Sequence, residues 1–158
     1  MDEIAEAAGV GKGTLYRRFG DRAGLAIALI DEAERELQNR VLRGRPPLGP
    51  GRAPAVRLRA FLRAYLRLLE ENLEVILESG SRGARFRVGS YGFWQAHVAL
   101  LLREGNIADA NGLADLLLGS VEARLYHHLR HERGLSAAAI ARGVERLAAG
   151  LCPADARP

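Results

Sequence analysis

Seven of the twelve residues at positions 43–54 are glycine or proline. Proline has no amide hydrogen to donate and clashes with the preceding turn, so neither a helix nor an inner strand runs through such a stretch. The chain is therefore cut into residues 1–42, a linker at 43–54, and residues 55–152. Neither side shows the sustained two-residue alternation of a strand. Both repeat apolar residues at spacings of three and four, the period of a helix buried on one face. The expected class is all-α.

Before the linker, residues 4–8 form a short helix stopped by Gly9, and residues 12–19 form a second, stopped by Gly20. Asp21 is a good N-cap for a third helix over 22–42, with Leu25, Ala26, Leu29, Ala33 and Leu37 on one face and Asp31, Glu34, Arg35 and Gln38 opposite. After the linker, residues 55–72 carry Leu58, Leu62, Tyr65, Leu66 and Leu69 at helical spacing, and 73–78 read as a separate short piece. Residues 79–92 are Gly- and Arg-rich and read as irregular, and 93–103 are helical again. Asp109 caps one long helix reaching about Glu132, Gly134 ends it, and Ser136 caps a last helix to Leu151. The tail from Pro153 is expected to be loose.

Composition narrows the class of partner. The 158 residues are 48% hydrophobic, enough for a packed core, yet no apolar run reaches the roughly 18 residues of a membrane span. The first residues have neither the basic nor the apolar region of a secretory signal. A single cysteine, Cys152, gives no disulfide framework and no cysteine-rich zinc site. Together these point to the cytoplasm and to no membrane partner. The net charge of +4 is compatible with a polyanion, although 22 of the 23 basic residues being arginine reflects codon usage as readily as function.

Residues 4–19 describe two short helices joined by a glycine-containing turn, the outline of a helix-turn-helix. Small Ala5 and Ala8 let the helices cross closely, and Ile4, Val10, Leu15 and Phe19 supply an apolar seam. Lys12, Thr14, Tyr16, Arg17 and Arg18 remain as polar groups on the second helix. That helix suits insertion into a major groove, with flanking groups on phosphates.

Residues 4–30, IAEAAGVGKGTLYRRFGDRAGLAIALI, closely resemble the DNA-binding signature of TetR-family transcriptional regulators. The ordered set Ala-x-x-Ala-Gly-Val, Lys-Gly-Thr-Leu-Tyr and Phe-Gly-Asp-Arg carries the resemblance; beyond residue 55 it extends to helical layout alone. It implies an incomplete helix-turn-helix followed by a helical ligand-binding and dimerisation domain. It also implies a ligand-responsive repressor, released by a small apolar or aromatic effector, on double-stranded DNA with inverted half-sites. By position, Lys12 and Thr14 are implied groove or phosphate contacts, Tyr16 and Arg22 phosphate contacts, and Arg17 and Arg18 base or phosphate contacts. Two departures stand out. The family has a helix ahead of Ile4, which this sequence does not contain, so operator binding by these 158 residues is expected to be weak or absent. Gly11 stands where the family carries a Ser or Thr cap, a change costing a few tenths of a kcal/mol.

The aromatic residues Tyr65, Phe86, Tyr91, Phe93, Trp94 and His97 cluster in the middle of the second part. They suit either a packed core or an apolar pocket with a few polar groups. The resemblance favours an effector pocket lined by Leu62, Tyr65, Leu66, Leu69, Phe93, Trp94, His97 and Leu101. A homodimer interface is expected from Leu113, Leu117, Val121 and His128 on one helix and Ile140, Val144, Leu147 and Leu151 on the next, with small Gly112, Ala114, Gly119, Ala123 and Gly143 allowing close approach. Packing of those faces within one chain is the competing possibility. His127 and His131 stand four apart, but no nearby carboxylate or cysteine completes a set, so neither a metal nor a cofactor is expected. Eight arginines between Leu37 and Leu69, unbroken by any acid, read as a loop and a solvated helix face. No nucleophile elbow, P-loop or HExxH motif is present, and an enzyme is not expected. The alternative from a different class is a helical small-molecule-binding or dimeric interaction protein that does not bind DNA.

Overall fold

The computed structural model describes residues 1–79 and 89–152, and every regular element among them is helical. Phe86, most of the segment expected to be irregular, and the tail expected to be loose lie outside the described residues. The elements are α1 (Asp2–Ala7), α2 (Lys12–Phe19), α3 (Arg22–Arg43), α4 (Pro54–Ser79), α5 (Gly89–Glu104), α6 (Ala110–Gly119), α7 (Ala123–His127) with a π-helical turn (His128–Glu132), and α8 (Ala137–Leu151). No helix among the described residues is long and apolar enough to cross a membrane.

The local chemistry of the N-terminal part places its turns. Gly9 takes a φ of 65° between α1 and α2, a left-handed conformation that costs glycine little. Asp21 caps α3, its Oδ1 accepting from the Gly24 amide at 2.8 Å. At Gly24 itself a Cβ would fall 1.9 Å from the Phe19 carbonyl oxygen, so only glycine lets α3 begin this close to the end of α2. The linker holds α3 and α4 side by side, and Pro54 opens α4 where a missing amide hydrogen costs nothing.

α4 is the axis of the bundle. It packs against α3, α5, α7 and α8, and Leu58, Phe61, Leu62 and Leu69 along it are fully buried. It is one helix of 26 residues, where the sequence suggested pieces at 55–72 and 73–78. Asn72, the residue taken as a stop, keeps its amide satisfied inside the helix by donating from Nδ2 to the Leu68 carbonyl at 2.9 Å. α5 likewise starts earlier than expected, at Gly89. Two glycines in its first turn are outweighed by tertiary contact, including the Tyr91 hydroxyl donating to Asp115 Oδ1 of α6 at 2.6 Å.

The long helix expected from Asp109 to Glu132 is broken. The Ser120 hydroxyl donates to the Leu117 carbonyl at 2.6 Å, and the Val121 amide reaches back to Leu118. The Glu122 carboxylate then accepts from the Arg124 and Leu125 amides at 2.8 and 3.1 Å, starting α7 afresh around the fully buried Val121. After α7 the chain widens into the π-helical turn, where the Arg133 amide bonds the His128 carbonyl five residues back. Arg130 of that turn meets Glu70 of α4 through paired contacts, Nη2 to Oε1 at 2.8 Å and Nε to Oε2 at 3.1 Å, and the Tyr126 hydroxyl donates to the same carboxylate. Arg130, then Tyr126, hold the Glu70 carboxyl below its usual range. Ser136 caps α8 as expected, accepting from the Ala139 amide at 3.2 Å.

Candidate functional site

α2 turns one side to α3 and the rest to solvent. Leu15 is buried and Phe19 half-buried, and with the buried Ala5 of α1 they fix the crossing. Ile4 and Val10, expected in that seam, are exposed instead, because α1 and α2 meet over too small an area to cover them. At 100° per residue, Thr14 and Arg17 fall on the side away from Leu15 and Phe19. Lys12, Thr14, Tyr16, Arg17, Arg18 and, at the first position of α3, Arg22 are all exposed. Lys12 Nζ lies 2.6 Å from Asp2 Oδ2, and the lysine holds the Asp2 carboxyl below its usual range. The Arg18 guanidinium sits over the Phe19 ring at 5.4 Å. Arg17 and Arg22 form no ion pair among the described residues.

α3 changes the face it buries along its length. Leu29, expected inside, is 56% exposed. Glu34, expected outside, is buried with Leu37 and Val41 at the α4 contact. The sequence stripe holds at Leu37 and, half-buried, at Leu25, Ala26 and Ala33, and it fails at Leu29 and at Glu34.

Between α4 and α5 the structure brings together the residues expected to line an effector pocket. Leu62, Tyr65, Leu66, Leu69, Trp94, His97 and Leu101 are buried and Phe93 is half-buried. Tyr65 and Trp94 rings lie 5.8 Å apart and Phe93 and Trp94 5.0 Å. Phe61, which the sequence reading passed over, stands at the centre, 5.4 Å from Trp94 and 5.2 Å from His97. Arg57, taken as part of a solvated run, is also drawn into this seam, with its Nη1 3.4 Å from Glu104 and a side chain only 12% exposed. The spacing Arg57–Phe61–Tyr65, four residues at each step, was the available signal for both. Burial first, and the Arg57 charge second, push His97 down to about 4, so its imidazole is neutral near pH 7. These rings are in contact with one another. An open cleft of about 320 Å³ lies on the other side of α4, between α3 and α4, with Leu37, Arg40, Arg67 and, from the linker, Leu48 in its wall.

The residues expected at a dimer interface divide in two. Leu117, Val121, Ile140 and Val144 are buried within the single chain, and Leu113 and Leu151 pack partly against the same core. The four buried ones are turned inward on α6, α8 and the turn between α6 and α7, and are spent on the core of the single chain. His128 is partly exposed, its Nδ1 2.8 Å from Glu132 Oε2. Leu147 is 55% exposed, and Leu116 on α6 is 72% exposed. Periodicity found apolar faces on both helices without telling inner from outer. The His127 and His131 rings lie 4.7 Å apart, and no group of three or more metal-ligating side chains exists among the described residues.

Residues 1–29 match the family model described as bacterial regulatory proteins, tetR family. No curated protein matches the chain, and no solved structure does.

Proposed function

We propose that the chain, whose residues 1–29 match the tetR family of bacterial regulatory proteins, is a cytoplasmic, non-enzymatic repressor that binds duplex DNA as a homodimer. A small apolar or aromatic effector between α4 and α5 releases it. The observation that carries this reading is the polarity of α2: Leu15 anchors the helix while Thr14, Tyr16, Arg17 and Arg18 are exposed. Thr14, Arg17 and Arg18 read base edges or the groove wall. Lys12, Tyr16 and Arg22 hold phosphates and set the register. Two-fold symmetry of the homodimer makes the site an inverted repeat. The outer faces of α6 and α8, with Leu116 and Leu147 on them, supply apolar surface for the partner copy.

Titration of the protein, extended by the family's helix ahead of Ile4, with duplex from immediately upstream of its own gene, at about 150 mM salt, tests the proposal; the 158 residues alone are expected to bind weakly or not at all. Arg17→Ala or Arg18→Ala is expected to cost about 1–3 kcal/mol and to relax sequence preference. Tyr16→Phe and Arg22→Ala are expected to weaken all sequences alike. Binding no tighter than to random duplex defeats the repressor reading. Light scattering checks the assembly, and Leu147→Glu is expected to convert dimer to monomer.

A second reading has a specific observation in its favour. Ile4, Val10, Ile27 and Leu29 are exposed on α1 to α3, and Lys12 is already engaged by Asp2. A reader with an uncovered apolar side suits a helical small-molecule-binding or dimeric protein that does not bind DNA. Dimerisation and effector binding without DNA affinity select that reading.

A further inference from the structure

Three side-chain nitrogens are buried without a hydrogen-bond partner among the described residues: Arg57 Nε, Trp94 Nε1 and His97 Nε2. All three belong to the α4–α5 seam. Trp94 and His97 stand three apart on α5, each against the Phe61 ring, and Arg57 stands one turn before Phe61 on α4. Folded proteins leave few such groups, because a buried N–H with no acceptor forfeits its hydration and gains nothing in exchange. Three along one seam are left unmet by the chain itself, so their partners are water or a ligand.

Their chemistry restricts what arrives. The guanidinium Nε–H and the indole Nε1–H are donors only. The neutral imidazole of His97 can turn either tautomer to its partner. The seam therefore combines aromatic faces, unmet donors and one fixed positive charge, that of Arg57, which meets Glu104 loosely and by its Nη1 edge alone. A hydrocarbon would cover the nitrogens and leave them unmet. An arylalkylammonium ion would bring donors to donors and a cation to Arg57. An ionised carboxylate offers acceptors and opposite charge, and a planar acid suits the forked guanidinium.

We propose that the effector of this seam is an aromatic carboxylate, its carboxylate accepting from Arg57 Nε and its ring replacing part of the mutual contact of Phe61, Tyr65 and Trp94. The proposal rests on the effector reading given above and names the ligand class for the same site. Trp94 is the chain's sole tryptophan, so its emission reports the seam directly.

The full chain is titrated with benzoate and phenylacetate, and separately with toluene and ethylbenzene of matching shape, while Trp94 emission and melting temperature are followed. The acids are expected to shift emission saturably and to raise the melting temperature, with the hydrocarbons at least about tenfold weaker, or about 1.4 kcal/mol. Arg57→Met is expected to weaken the acids by a similar factor and to leave hydrocarbon binding unchanged, which also shows that the variant is folded; Arg57→Gln should behave alike. Acids and hydrocarbons binding equally well, or acids indifferent to both substitutions, overturn the ligand class and leave the seam as an effector site. If no compound of either kind moves Trp94 emission or the melting temperature, the effector site itself fails, and the carboxylate proposal with it.

Discussion

Residues 1–29 bury Ala5 and Leu15, whereas α4 by itself buries ten apolar residues from Ala55 to Ile76. The two regions answer different physical demands. The N-terminal helices keep their side chains outside, where a partner can be met, and depend on turn chemistry and one small crossing for their shape. The bundle turns nearly everything inward and depends on close packing. A region held by so few buried contacts opens more readily than its neighbour, and its opening is local.

That contrast is broken most directly at Leu69, fully buried on α4. Leu69→Ala is expected to cost about 3–5 kcal/mol of global stability, measured by urea unfolding; a loss below about 1 kcal/mol would mean the bundle is no better packed than the reader. The next effect is acidity. His97 in the folded chain is pushed from the usual 6.5 to about 4. Between those values the unfolded chain holds the extra proton, so stability falls as pH drops through this window, by roughly 3 kcal/mol in all. Unfolding midpoints from pH 7 to 4 check this, and His97→Leu should flatten the slope across the window. The reader supplies the third test. Leu15→Ala should cost about 2 kcal/mol, at the low end for a leucine whose surroundings can collapse. Hydrogen exchange should speed up over residues 1–29 while α4 stays protected. Smallest are the caps. Asp21→Ala and Ser136→Ala should each cost about 1 kcal/mol, the first seen in exchange at the start of α3 and the second at α8.

The sequence spoke most clearly where local chemistry decides. Gly9, Gly20 and Asp21 place the turns of the first helices, and α2 has the bounds its pattern suggested. Ser136 did the same for α8. It spoke least where distant partners decide. Leu117, Val121 and Leu125 keep a helical spacing across the break at Ser120–Glu122, so nothing in the period reveals it. Only the Glu122 carboxylate turning onto two amides does. Leu117 and Leu116 are chemically alike, and the core's location, not the residue, makes one inner and the other outer. Arg57 is hidden among its neighbouring arginines until α5 lies against it.

α3 has a consequence of scale. It is a single helix of 22 residues, and its buried residues, Glu34, Leu37 and Val41, all lie in the half next to the linker. At 1.5 Å per residue it measures about 33 Å. Pivoted at its packed end by about 5°, such a rod carries its free end about 3 Å sideways, close to the rise of one base along a DNA strand, about 3.4 Å. The number of residues in α3 thus sets a lever arm: for a given tilt at the packed end, it fixes how far the other end is carried.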